Sequence, residues 1–373
     1  MSADLSQAVA YHYGGFPPKS FEFTRVIGPL LEATDALARY DQMLKGMHNS
    51  EILLAPLRGQ EALASSRMEG TFSTLEEVLE LESEADPDLS ATDEYRSGAV
   101  ETYLYGRALR MARQAMQEGQ PLAKPLIRQM HQLLLSFARG QSKNPGQFKT
   151  EQNYIGTRGK QNISFVPVSP EHLESGMDDL LAFTRDDQWT ALLRVAISHV
   201  EFEALHPFKD GNGRVGRMLV TLLLWHLGCI STPHFYISRF FEEHKTEYVL
   251  ALRAVSADGA WEDWCAFFLR AVKEQAYQNL QVAENTRKLY EEMKGRFVEL
   301  LKSAKAVTAL DYIFTNPVFR NSRFSKHAGI PQHTASRFSR ILLEEGLLVP
   351  VREASGRQSA IYSFEPLLEL VRI

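Results

Sequence analysis

Apolar residues return at steps of three and four along most of this 373-residue chain, and that spacing restricts the fold to a mainly α architecture. The pattern is plain in FTRVIGPLLEATDALARYDQML, AVETYLYGRALRMARQAM, PLIRQMHQLLLSFA, LLRVAISHVEFEAL and RMLVTLLLWHLG, with Gly, Pro or Ser clusters between the segments. Strand signals are few. In NYIGTRGKQNISFVPVSP two short runs flank Gly159-Lys160-Gln161 and stop at Pro167 and Pro170, which predicts a β-hairpin from Asn153 to Pro167. LLVPVREASGRQSAIYSF alternates around a turn containing Gly356 and predicts a second hairpin near the C-terminus.

A chain of this length exceeds what one hydrophobic core organises, so two or three units are expected. With 44% hydrophobic and 23% charged residues, disordered and fibrous classes drop out. The formal charge of −5 supplies no global basic field, so any nucleic-acid surface must be local to one unit. Cys229 and Cys265, the two cysteines, fall in apolar helical patterns and read as small buried hydrophobes, in keeping with a reducing cytoplasm. The N-terminus lacks a basic stretch followed by an apolar one. The longest apolar run, Leu219 to Trp225, is too short to span a bilayer, so neither secretion nor membrane insertion is expected.

A long charged helical stretch from Trp261 to about Ala304 reads as a linker. Beyond it the order helix, short helix, helix, hairpin resembles a winged helix-turn-helix, with Gly329 in the tight turn and Gln332 to Glu345 as the candidate recognition helix. From Ala304 onward nine Lys and Arg stand against six Asp and Glu, and Ser336, Arg337 and Arg340 are placed to face a major groove. Winged helices also serve as protein-interaction modules, so DNA and protein partners both stay open.

The most informative chemistry lies in His206 to Arg217, HPFKDGNGRVGR. The helix before it must end at Pro207, and the next begins near Gly213 to Val215. DGNG then forms a tight turn whose N–H groups point inward, an anion nest reinforced by the dipole of the following helix. Arg214 and Arg217, three positions apart, share a helix face and can grip one polyphosphate. Asp210 is a single carboxylate, too little for a structural metal cage, but sufficient for Mg²⁺ that completes its shell with phosphate and water. His206 has the side chain best suited to move a proton near neutral pH. No GxxxxGK[ST] occurs, so P-loop chemistry is excluded.

The loop is similar to the signature of the Fic (Fido) family, HPFx[DE]GNGRxxR, at every defined position, and the resemblance extends over roughly residues 20 to 280. Members transfer AMP from ATP to a hydroxyl of a target protein; some transfer phosphate, UMP or phosphocholine instead. The phosphate-transferring branch resembles small toxins with Lys where this chain has Gly213, so AMP transfer is the implied reaction. The resemblance implies ATP and Mg²⁺, His206 as general base, Phe208 as buried anchor, and Asp210 as metal ligand. Gly211, Asn212 and Gly213 would line the anion hole, Arg214 and Arg217 would hold the phosphates, and Val215 and Gly216 complete the nucleotide-binding stretch. It also implies a Fic-type helical core at 96–272 after an N-terminal helical region at 1–95, followed by the linker helix at 273–304 and the winged helix at 305–373.

Upstream, Ser65, Glu69 and Gly70 match the family's inhibitory [ST]xxxE[GN] motif, which implies that Glu69 pairs with Arg217 and keeps it from phosphate. The hairpin sits where the family has its flap, so Asn162, Ile163, Ser164 and Phe165 would form the edge that pairs with an extended target. Tyr248 stands where an aromatic contacts adenine, whereas Val249 replaces a second Tyr common in the family. Trp261 and Trp264, at helical spacing, read as core. The implied partner is a protein bearing a Ser, Thr or Tyr hydroxyl, the chain itself included, and a homodimer is common among similar proteins. Two other functions stay open: a DNA-binding regulator whose core senses nucleotide, and removal of AMP by the same site.

Overall fold

The computed structural model describes residues 5, 7–47, 54–83, 94–156, 163–354 and 359–371. These residues are mainly α-helical, with two small sheets, as the periodicity predicts. Two compact units form, Met1–Asp41 with Ala64–Gly70 and Arg107–Tyr277, and Gln42–Leu63 with Thr71–Gly106 and Gln278–Ile373. Both are assembled from separated stretches of sequence. No helix among the described residues is long and apolar enough to cross a membrane.

Chain order runs β1 (Val9–Ala10), α1 (Phe23–Lys45), α2 (Ala55–Met68), α3 (Leu75–Glu82), α4 (Glu94–Gln117) and α5 (Lys124–Leu134). A 3₁₀ turn at Ala138–Lys143 leads to β2 (Ile155–Gly156), β3 (Ile163–Val166), α6 (Pro170–Phe183), α7 (Ala191–Leu205) and α8 (Asn212–His226). Then come α9 (Ser238–Glu243), α10 (Lys245–Asp258) and the 41-residue α11 (Trp261–Leu301). The C-terminal stretch holds α12 (Ala306–Thr315), β4 (Val318–Arg320), α13 (Asn321–His327), α14 (Gln332–Glu344), β5 (Leu348–Arg352), β6 (Ile361–Phe364) and α15 (Glu365–Val371).

The first unit is organised around α7 and α8. Each is apolar on nearly every face, as a helix at the centre of a core must be, and almost all of their side chains are buried. Trp264 packs into this core, and its indole N–H donates to the Ala196 carbonyl at 2.7 Å, which removes the cost of burying that donor. Trp261 is buried too, as expected, and so is Cys265. Cys229 differs: it falls in the turn after α8 and is half-buried, because Gly228 adopts φ +73° and ends the helical course.

The predicted hairpin is present as β2 and β3, antiparallel with an irregularity at Ile155/Gly156. Its pairing corrects one expectation. β3 is the central strand of the order β1-β3-β2, not an edge, because Val9 and Ala10 pair parallel with Phe165 and Val166. A two-residue strand carries no alternation to detect. Ile163 and Ser164 lie beyond the stretch that pairs with β1, and Asn162 lies outside the described residues.

In the second unit Thr74 caps α3 with a capping box, its side chain accepting from the Glu77 N–H while Glu77 accepts from the Thr74 N–H. α12 to α14 follow the helix, short helix, helix order, and Gly329 takes φ +63° in the turn before α14. The hairpin β5–β6 gains a third strand, since β4 pairs antiparallel with β6, and α15 closes the chain. Of the residues singled out on α14, Ser336 and Arg340 are exposed, and Arg337 donates to the Leu301 carbonyl at 2.9 Å.

Candidate functional site

α7 ends at His206, which takes φ +45° with its N–H donating to the Phe202 carbonyl. A left-handed residue followed by proline turns the chain sharply, so the imidazole leaves the helix axis and enters a cavity of about 860 Å³. Glu69, Ser164, Glu203, Arg217 and Tyr248 line the same cavity, together with Gly213 and the flap residues Ile163 and Phe165. Residues spread over 180 positions of sequence thus converge on one pocket within the first unit.

The signature loop is tied down carbonyl by carbonyl. Asn153 Nδ2 donates to the His206 and Phe208 carbonyls, both at 3.0 Å, and the Lys149 N–H donates to Pro207 at 2.8 Å. Asn212 closes the loop internally, accepting from the Phe208 N–H and donating to the Phe208 carbonyl, each at 2.8 Å. Its side chain is therefore spent on the loop, and only its backbone is left to face an anion. Phe208 is fully buried, packed against Phe148 and stacked on His131 with ring centres 3.7 Å apart. Gly211 takes φ +77°, a conformation only glycine adopts freely, and the next residue starts α8.

At the N-terminus of α8 a carboxylate is supplied from elsewhere in the chain. Glu69 Oε1 accepts from Arg217 Nη2 at 2.7 Å and lies 2.3 Å from where a Cβ on Gly213 would be. Any side chain at 213 would force that oxygen to shift. Arg217 also donates from Nε to Ser65 Oγ at 2.8 Å and from Nη2 to the Ser65 carbonyl at 2.9 Å. Ser65 is buried on α2, and Glu69 follows the last helical residue, where Gly70 at φ +78° turns the chain away. Burial pushes the Glu69 carboxyl up, but Arg217, with Arg214 and His206, outweighs it and holds the group below the usual carboxylate range.

His206 is held neutral, its pKa lowered to about 4 by burial and the nearby Lys149 cation. Its Nδ1 faces the Glu203 carbonyl at 3.3 Å, an acceptor, so the ring proton sits on Nδ1 and Nε2 keeps its lone pair. Lys149 is itself pushed down to about 7 by burial, with Nζ donating to Asn153 Oδ1 and the Leu205 carbonyl. Glu203 is raised to about 7, chiefly by burial, and its Oε1 is enclosed with no hydrogen-bond partner among the described residues.

Several expected site residues sit apart from the cavity wall. Val215 is fully buried in the core, and Gly216 packs under α7, where a Cβ would meet Glu203 Oε1 at 2.3 Å, so both shape the helix pair instead of lining the pocket. Tyr248 reaches the cavity, but its ring stacks on Phe241 and its hydroxyl pairs with His199 Nε2 at 2.9 Å, which makes it a wall of the pocket with little freedom to stack on a base. Asp210 is half-exposed; its Oδ1 accepts from the Gly211 N–H at 2.6 Å and lies 3.7 Å from Arg214 Nη2. The sequence gives no sign of the parts played by His131, Lys149 and Asn153, each of which also bonds a backbone carbonyl more than 50 residues away.

Residues 121–224 match the Fic/DOC family, and residues 27–114 match the Fic/DOC family N-terminal region. The chain belongs to the Fic/DOC family. The protein adenylyltransferase fic-1 of Caenorhabditis elegans is 32% identical over 105 residues, which cover 27% of this chain and 19% of that protein. A probable protein adenylyltransferase of Aquifex aeolicus is 29% identical over 90 residues, 24% of this chain and 26% of that one. The matched stretch therefore spans about a fifth to a quarter of these curated relatives. Among solved structures, a Fic family protein from Desulfovibrio desulfuricans superposes with a TM-score of 0.57 at 18% identity, over 93% of this chain and 98% of that one. Fic-1 of C. elegans, residues 134–508, superposes with a TM-score of 0.51 at 19% identity, over 72% and 74%. At such identities the likeness establishes the Fic fold.

Proposed function

We propose that this Fic protein is an adenylyltransferase that moves AMP from ATP to a hydroxyl of a protein target and is held off by its own Glu69. One observation carries the reading: a carboxylate from outside the loop occupies the N-terminus of α8 and the Arg217 guanidinium, the position a phosphate would need. The names of the adenylyltransferase relatives support the reaction class.

The chemistry follows from the residues present. His206 Nε2, unprotonated, accepts the proton of the target hydroxyl. The hydroxyl oxygen then bonds to the α-phosphorus as the bond to the pyrophosphate oxygen breaks, and the charge that develops there is met by the α8 N-terminus, Arg214 and, once Glu69 withdraws, Arg217. No group of three or more His, Cys, Asp or Glu among the described residues could cage a metal. Asp210 nonetheless fits Mg²⁺, since one carboxylate oxygen is engaged by Gly211 and the half-exposed side chain offers the other. Mg²⁺ bound there would neutralise phosphate charge.

In this reading residues 96–272 are the catalytic core, with 1–95 carrying the inhibitory motif. Residues 273–304 are a linker helix, and 305–373 a winged helix for a protein or DNA partner. The flap role shifts: with β3 central, a target strand is left Ile163 and Ser164 beside the cavity. Incubating the purified Glu69→Gly protein with labelled ATP and Mg²⁺ tests the proposal; it predicts His206-dependent labelling of protein, and equal labelling by Glu69→Gly/His206→Ala would contradict it.

A further inference from the structure

His131 is a buried histidine whose two ring nitrogens bond backbone groups and whose ring stacks on Phe208. Its Nδ1 accepts from the Gly146 N–H at 2.8 Å, which fixes the neutral ring's proton on Nε2, and Nε2 donates to the Asp210 carbonyl at 2.9 Å. The ring face lies on Phe208 at an interplanar angle of 7°, and its edge lies under Gly211, where a Cβ would come within 3.6 Å of Cδ2. Any buried histidine needs partners for both ring nitrogens, so what distinguishes this one is where they go. Here one tautomer bridges the 146 turn to the one signature residue whose side chain is a carboxylate.

We propose that His131 is a positioning residue for Asp210: by fixing the Asp210 carbonyl it sets the direction in which the carboxylate is offered to the metal of a metal–nucleotide. The inference rests on the nucleotide-transfer reading above. Asp210 Oδ1 bonds the Gly211 N–H, which belongs to the same peptide unit as the carbonyl that His131 holds. A rotation of that unit would therefore carry the carboxylate with it. Residues that orient a metal ligand in this way typically change metal affinity by about 10–100-fold when replaced.

Side-chain reach separates this role from packing. A Gln at 131 places its amide near the position of Nε2 and can still donate to Asp210, an Asn places it near Nδ1 and can serve only Gly146, and a Phe keeps the stack alone. ATP affinity is measured calorimetrically with Mg²⁺ and with EDTA, in Glu69→Gly protein and in His131→Gln, His131→Asn and His131→Phe made on that background, alongside thermal unfolding. Expected is that Mg²⁺ tightens ATP binding in the parent and in His131→Gln to within about threefold, while His131→Asn and His131→Phe lose roughly tenfold or more of that tightening. In EDTA all four bind ATP alike. Should His131→Asn respond to Mg²⁺ as the parent does, or should the loss follow thermal stability across the variants, the positioning role is overturned. A parent that binds no nucleotide would instead overturn the reading on which it rests.

Discussion

Arg217 and Glu69 form an ion pair at 2.7 Å at the head of α8, and the glutamate oxygen takes the space that Gly213 leaves by having no side chain. In the proposed reading glycine at 213 serves twice, first for the Glu69 carboxylate and then for a phosphate in its place. A methyl at 213 would fall 2.3 Å from Glu69 Oε1 and 2.9 Å from Arg217 Nη1. Gly213→Ala is therefore expected to expel Glu69 without activating the protein. ATP affinity measured calorimetrically should fall at least about tenfold below that of the Glu69→Gly protein when the two changes are combined. Unchanged affinity in the double variant would show that phosphate does not approach this glycine.

A substitution at His206 is expected to separate binding from chemistry. Replacing it with Asn removes the acceptor for the hydroxyl proton but no phosphate-binding group, so AMP transfer in the Glu69→Gly background should drop by about 10²-fold or more. ATP affinity should stay within a factor of about three. A loss of both in equal measure would mean that His206 serves the nucleotide and not the proton.

Asn153 carries the loop's backbone. Its Nδ2 is the donor for two carbonyls, His206 and Phe208, and its Oδ1 accepts from Lys149. Asn153→Ala leaves these groups unpaired in a partly buried setting, at a cost of about 1–3 kcal/mol. Denaturant unfolding should show that loss, accompanied by a fall in transfer rate because the imidazole is no longer held.

Acid should destabilise the fold more than its net charge suggests. His131 and His206 are held down to about 4 and His199 to about 3, each chiefly by burial, whereas unfolded histidines titrate near 6.5. Between those values the unfolded chain binds protons that the native one refuses, so stability present above pH 6.5 is lost as the pH falls through the window. Glu203, raised to about 7, acts in the opposite sense, binding a proton in the native state from about pH 4.5 upward to 7. Glu203→Gln removes that counterweight. Urea midpoints between pH 6.5 and 5 should therefore drop more steeply in the variant, by about 1.4 kcal/mol per pH unit in the unfolding free energy.

The signature loop was legible because its chemistry is local: twelve consecutive residues supply the turn, the helix start and the charged groups. Helix limits followed from Pro207 and the glycines, and Glu69 followed from a short motif that the geometry joins to Arg217. What could not be read is non-local. His131 lies 79 positions from the carbonyl it holds, and within PLIRQMHQLLL it looks like any core histidine. β1 is two residues long, so nothing in MSADLSQAVAYHYGG signalled that the flap strand would have a neighbour on each side. Tyr248 shows the same limit, since its place in a helical pattern gave no hint that His199 takes its hydroxyl.

If Glu69 holds closed a site otherwise complete for AMP transfer, removing its carboxylate must switch that transfer on. Intact-protein mass spectrometry after incubation with ATP and Mg²⁺ tests it most directly, comparing the natural chain, Glu69→Gly and Glu69→Gly/His206→Ala, each with and without added cell lysate. Additions of one AMP mass, on the chain or on a lysate protein, are expected at least about tenfold more often with Glu69→Gly than with the natural chain, and none with the double variant. Equal modification by the natural chain and Glu69→Gly, or modification that persists without His206, would contradict it.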